Sequence, residues 1–337
     1  MKFPKASPCF FASRATERGK AGLTLPRHKR PPAKRKRKPY GARNLHIMRS
    51  MRYLTEFSAM EWLALAPLRH ALKQVRNDAW MAFYKKSRAD KMDRFLADHG
   101  HLTDKSIALI IAFEQPWALN WLLKMANRNV ADTTFLVFDN SRNVSKRIEI
   151  EQICGQNNVR YLALPPNPTQ HVNRSHGMAM TWVYHNVVRA IKPRIFGFID
   201  HDLIPVRKAS IADKLADQPV YGLLNEGKFG FWYLWAGYCF FGFAGTEGKP
   251  VNFLYDFSRD LDTGGRNWNS LYRDLDRHRL RVASVENISM NAASIAQPRM
   301  VQIVDRNWLH IGGISYNAPD HLHFFRELEK ESNQDSS

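Results

Sequence analysis

Asp200-His201-Asp202 closes the apolar run Ile195-Phe196-Gly197-Phe198-Ile199. Residues two apart on a strand share a face, so both carboxylates can reach one divalent cation where a buried strand runs out. Hard oxygen donors suit Mg²⁺ or Mn²⁺, and a cation held by one or two carboxylates keeps positions for substrate phosphates. The pair therefore outlines a phosphate-handling site. The plain structural alternative has Asp202 capping a turn and Asp200 as a solvated strand end. His201 between them is expected to face the other way and not to be a ligand.

The elements that must position this pair alternate in type. Ser106 to Phe113 is a continuous apolar run that reads as a strand buried on both faces. The spacing predicts a helix over Trp117 to Arg128, a strand over Asp132 to Asn140 and a third strand over Val159 to Leu164. Ser175 to Ile191 has helical spacing, with Ala179, Trp182, Val183, Val187 and Ala190 on one stripe. Such alternation implies a mostly parallel α/β sheet whose ligands sit beyond the carboxyl ends of its strands. Asp139 and Asp200 both fall at such ends. His176-Gly177 stands near a helix start, where backbone amides favour an anion. It reads equally as a helix-entry turn capped by Ser175.

On these residues the chain resembles the family 2-like glycosyltransferases of the GT-A fold, over roughly Ser106 to Tyr316. The parts that carry the resemblance are the strand Ile107 to Phe113, the strand end Phe138-Asp139-Asn140-Ser141, the segment Asn173 to Ala179, and Phe196 to Asp202 in the place of the Asp-x-Asp motif. The resemblance implies an α/β, Rossmann-like central sheet flanked by helices. It also implies transfer of a sugar from a nucleotide diphosphate sugar to an acceptor hydroxyl with inversion, in glycan or envelope polysaccharide synthesis. Phe113, Asp139, Asn140, His176, Gly177, Asp200 and Gly312 would then bind the nucleotide sugar, with Asp139 reading the nucleobase edge. Asp200 and Asp202 would hold Mn²⁺ or Mg²⁺, joined by His310 of Trp308-Leu-His-Ile-Gly-Gly-Ile-Ser315. A carboxylate ahead of a helix and a strand would be the general base. Asp262 fits that place before the expected helix Trp268 to His278 and strand Leu280 to Val285, with Glu286 or Glu226 as alternatives. The bland reading of Asp262 is a cap or turn residue.

Phe229 to Thr246 carries no charge over eighteen residues, yet its glycines and aromatic content argue against a membrane span. Two short strands turning near Trp235-Ala-Gly237 are expected. The resemblance implies that this segment walls donor from acceptor, which makes Trp232, Tyr233 and Trp235 candidates to stack on an acceptor sugar.

The formal net charge of +19 is uneven. Residues 1 to 50 hold 15 Lys and Arg against the single acid Glu17, a net of +14, which leaves +5 for the rest. Lys29 to Lys38 is almost wholly basic and shows no apolar periodicity, so it reads as a disordered tail. An inert segment, with translation starting at Met48 or Met51, peripheral contact with an anionic membrane surface, a targeting presequence and nucleic-acid binding are the readings it admits. The expected organisation is a basic tail (1–50), a helical pre-domain segment (51–103) packing on the sheet, a transferase domain (104–325) and a polar C-terminal tail (326–337). Cys9, Cys154 and Cys239 have no metal-type spacing and suggest a reducing, cytoplasmic setting, at most peripheral to a membrane. Two other classes are consistent with parts of the chain. A nucleotidyl or phosphoryl transferase would also use paired carboxylates, but no Gly-x-x-x-x-Gly-Lys is present. A basic nucleic-acid-binding protein would make the α/β region scaffold.

Overall fold

The computed structural model describes residues 51–292, 295–314 and 319–334. Residues 1–50, which include the expected basic tail, lie outside it. The central element is a six-stranded sheet in the order β3-β2-β1-β4-β7-β6. Its strands are β1 (Ser106–Ala112), β2 (Thr134–Asp139), β3 (Arg160–Ala163), β4 (Ile195–Asp200), β6 (Val220–Glu226) and β7 (Trp232–Gly242). The first four run parallel, and β7 and β6 complete the sheet antiparallel. The molecule is thus mixed α/β with a mainly parallel central sheet flanked by helices.

Strand β1 shows why the sheet is central. All seven of its residues are buried, and alternate side chains enter different layers: Ile107, Leu109 and Ile111 one core, Ala108, Ile110 and Ala112 the other. A strand apolar on both faces is stable only with both faces covered. Helices α4 (Pro116–Asn129), α5 (Val144–Gln156) and α6 (Val172–Val183) link successive strands. Helix α6 continues through a π turn (Tyr184–Val188) into α7 (Arg189–Ile191), which completes the helical span expected there. Helix α5 was not anticipated. It starts at Asn143, whose side chain accepts from the amides of Ser145 and Lys146.

A second, antiparallel sheet has the order β5-β10-β9-β8, from β5 (Leu203–Pro205), β10 (Trp308–His310), β9 (Ile295–Val304) and β8 (Val285–Ala292). Because β5 begins just after Asp202 and pairs Leu203 with His310, the acidic pair is continuous with both sheets.

Several expectations need correction. Trp232 to Gly242 is one unbroken strand without a turn at Trp235-Ala-Gly237: its first part pairs with β6, its last part with both β4 and β6, and a register shift in the β6 pairing falls between. The segment expected as a helix to His278 is a short 3₁₀ and π-helical stretch (Gly265–Tyr272) followed by turns. No strand spans Leu280 to Val285; β8 begins at Val285. The polar tail is a helix through Gln334, α8 (Pro319–Gln334), because Phe324, Phe325 and Leu328 form a buried stripe. Before the sheet stand α1 (Ala59–Leu63), α2 (Ala66–Tyr84) and α3 (Met92–His99). Met81, Tyr84 and Phe95 pack inward, whereas Trp62, Leu63, Leu65, Leu68 and Phe83 are exposed. No described helix is long and apolar enough to cross a membrane.

Candidate active site

Chain order places β2 on one side of β1 and β4 on the other, which opens a crevice at their carboxyl ends. Across β1 the register is nearly level: Ala112 pairs with Asp139, and Ile111 with Asp200. The crevice holds an open cleft of ≈ 210 Å³. Phe113, Asn140, His176, Asp200, Asp202, Tyr233, Trp235 and Asp262 all line it. The carboxylate pair, the expected base and two of the three aromatic candidates are therefore gathered in one place.

The carboxylates are electrostatically loaded. Burial, and then the charge of Asp202, push the Asp200 carboxyl up to about 6, against the pull of His201 and His310. Burial holds the His176 imidazole down at about 4 although Asp202 and Asp262 both favour its charged form. The 3.5 Å approach of His176 Nε2 to Asp200 Oδ1 is thus a contact with a neutral ring at neutral pH. His201 reaches back with Nδ1 to the carbonyl of Ile111 at 3.3 Å, and its buried Nε2 has no partner among the described residues.

His310 is placed by its strand. β10 pairs it with Gln302, and its Nδ1 donates to Gln302 Oε1 at 2.6 Å. That tautomer leaves the Nε2 lone pair facing Asp202, 4.0 Å from Oδ1. Its ring packs on Trp235, centroids 4.9 Å apart. His310 does not itself line the cleft, and among the described residues no three His, Cys, Asp or Glu side chains are gathered as a ready metal shell.

Other expected residues serve the site from behind. Asp139 is fully buried; its Oδ1 accepts from the Ser141 amide and its Oδ2 from Tyr161 Oη at 2.9 Å. Its carboxylate is spent on shaping the strand end and does not face the cleft. The next residue does: Asn140 donates to Ser175 Oγ at 2.9 Å and accepts from Asn167. Gly177 packs against backbone, since a Cβ there would stand 2.6 Å from the Phe253 carbonyl oxygen. Gly312 takes a left-handed backbone (φ +67) beside the His310 ring, and the neighbours Gly313 and Ile314 line the cleft instead. Trp232 is core, packed on Tyr272 and Trp268, because period two on β7 puts it opposite in phase to Tyr233 and Trp235.

Asp262 is exposed and lines the cleft with Thr263, whose amide and hydroxyl donate to Asp262 Oδ1 at 2.7 and 3.3 Å. The alternatives lie elsewhere. Glu226 pairs with Arg277 at 2.9 Å and Glu286 with Arg306 at 3.7 Å, and neither lines the cleft. Sequence reasoning missed Arg142 and Asn173, which also line it. Arg142 directly follows the strand-end Asp-Asn-Ser, a signal available in the sequence.

No family model matches the chain, and no curated protein does. Solved structures similar to parts of it include the following three. TarS of S. aureus shares 13% identity over 46% of this chain and 32% of its own, with a TM-score of 0.33. The apo form of WbbM, a bifunctional glycosyltransferase, shares 12% identity over 42% and 32%, with a TM-score of 0.29. The mannosyltransferase PcManGT from Pyrobaculum calidifontis, in complex with GDP-Man and Mn²⁺, shares 11% identity over 60% of each chain, with a TM-score of 0.31. The chain thus spans about a third of the first two proteins.

Proposed function

We propose that the chain is a metal-dependent glycosyltransferase that moves a sugar from a nucleotide diphosphate sugar to a hydroxyl on a glycan or lipid-linked acceptor. One observation carries this reading: Asp200, Asp202 and Asp262 line the same cleft at the carboxyl ends of β1 and β4. Two adjacent carboxylates in a partly dry cleft repel each other, and burial first, then that repulsion, raise the Asp200 carboxyl. The two carboxylates suit Mn²⁺ or Mg²⁺ chemically: Asp200 and Asp202 would be the ligands, His310 beside Asp202 would be a third on closer approach, and substrate oxygens would complete the shell. Such an ion offsets the charge that develops on the departing diphosphate.

The side chains of the cleft supply the rest. Asn140 and Arg142, at the β2 end, are placed for the nucleotide. Trp235 and Tyr233 offer aromatic faces to a sugar ring. Asp262 takes the acceptor's proton as the new bond from the acceptor oxygen to the anomeric carbon forms; the bond from that carbon to the phosphate oxygen breaks, and its electron pair leaves with the diphosphate. Attack from the face opposite the leaving group inverts the anomeric centre.

The test is calorimetric titration with nucleoside diphosphates, with and without Mn²⁺. The wild type should bind one of them in a Mn²⁺-dependent manner, and Asp202→Asn should lose that dependence while melting normally. Metal-independent binding in both proteins would sink the assignment.

A further inference from the structure

Helix α2 is inside out. Its buried face carries Gln74 and Asn77 beside Met81 and Tyr84, while Leu68, Leu72, Val75 and Phe83 point to solvent, Leu72 at 62% and Phe83 at 75% exposure. Their spacing sets them on one stripe, and Ala71, Ala79 and Ala82, also exposed, fill the gaps. The stripe is apolar along a 19-residue helix, roughly 28 Å. Leu63, 79% exposed at the end of α1, extends it. Soluble monomers rarely leave a contiguous apolar face of this extent in water.

The stripe has a basic margin. Arg69, Lys73 and Arg76 follow one edge of the helix, and the Arg76 guanidinium lies 5.3 Å from the ring of Trp80. Asp78, at the other edge, is bound to Arg266 at 2.7 Å. An apolar face bordered by Arg, Lys and Trp is the pattern of a helix lying in the plane of a membrane interface.

We propose that the outer face of α1 and α2 docks on an anionic lipid bilayer, apolar stripe in the acyl boundary and basic margin among the headgroups. Charge selects this occupant. The fifty residues that precede the face hold 15 basic residues and one acid; they carry the sign of the margin, so they are drawn to the same bilayer and have no charge attraction to the margin itself. A second copy would set two basic margins side by side. Trp80 also lies 5.2 Å from the Arg174 guanidinium, next in sequence to the cleft residue Asn173. Docking therefore brings the cleft rim near the bilayer, which, on the transferase reading, points to a lipid-linked acceptor.

The experiment is flotation of the full chain with vesicles of equal parts phosphatidylcholine and phosphatidylglycerol, and with phosphatidylcholine alone. The wild type should float with the anionic vesicles and much less with the neutral ones. Combining Leu72→Glu, Val75→Glu and Phe83→Glu should lower partitioning by at least about tenfold, with an unchanged melting temperature. The Mn²⁺-dependent nucleotide binding of this variant separates the present inference from the catalytic one. Undiminished flotation of the triple variant, equal flotation on neutral vesicles or no flotation of the wild type would overturn the proposal. So would a lipid-free dimer that the three substitutions dissolve.

Discussion

Gly237 is the residue on which the geometry of the acidic pair depends most directly. It lies one step beyond the Ile199 to Tyr238 pairing of β4 with β7, and so faces Asp200 across the sheet. A methyl group built there would stand about 1 Å closer to Asp200 Oδ2, and to the indole of Trp235, than the 3.4 Å of ordinary contact. Gly237→Ala must therefore swing the carboxylate, the indole or both by that amount. Misplacing a positioned group by about 1 Å costs on the order of 10²-fold in rate, and overpacking a well-filled site costs about 1–3 kcal/mol of stability. The variant should thus fold with a modestly lowered melting temperature, lose Mn²⁺-dependent nucleotide binding in calorimetry, and turn over about 10²-fold more slowly. Gly242→Ala, on the same strand, meets nothing nearer than 3.7 Å and serves as the silent control. If Gly237→Ala binds and turns over like the Gly242 variant, the carboxylate of Asp200 is not the group that the cleft positions.

Asp262→Asn should reduce turnover by about 10²- to 10⁴-fold with donor affinity retained, while Glu226→Gln and Glu286→Gln, both outside the cleft, should match the wild type; the reverse pattern would reassign the base. Gln302→Leu removes the acceptor that orients His310 and should weaken Mn²⁺ binding by about 10- to 100-fold, and an unchanged affinity would take His310 out of the metal site. Burial holds His185 at about 4, below its usual 6.5, with its Nε2 donating to the Val251 carbonyl at 2.9 Å. The unfolded chain therefore binds the proton first as pH falls, so this contribution to stability is complete above about 6.5 and drains away toward about 4. His185→Gln keeps a donor but not the titration, and its melting temperature should fall less steeply over that window; an identical pH profile would refute the assignment.

The parallel half of the sheet was legible because β1, β2 and β4 are buried on both faces and leave long apolar runs. Helix α5 was not, since it buries only Ile150 and Cys154 and shows Val144 and Ile148 to water, which erases its stripe. Strand β8 is mostly exposed and mixes Glu286, Asn287 and Ser289 among apolar residues, so it carries no strand signature. In the cleft, the place of Asp200 and Asp202 follows from strand-end logic, whereas Asp262 lies in a loop and is reached only through the family resemblance. The direction of Asp139 does not follow from that logic, because it is decided by Tyr161 on a strand that lies next to it only in the fold. The aromatic run of β7 likewise hides its own parity, and Trp232 separates from Tyr233 and Trp235 only once the register is known.

Asp305, in the turn between β9 and β10, bonds Tyr221 Oη of β6 at 2.7 Å and Tyr238 Oη of β7 at 3.0 Å, partners 84 and 67 residues earlier in the chain. It also meets Lys214 Nζ at 3.2 Å. Loop closure over such separations is slow and entropically late. The turn that seats Asp305 against β6 and β7 also leads into β10, so the contact that satisfies two buried phenols and the one that sets His310 beside Asp202 belong to the same long-range closure.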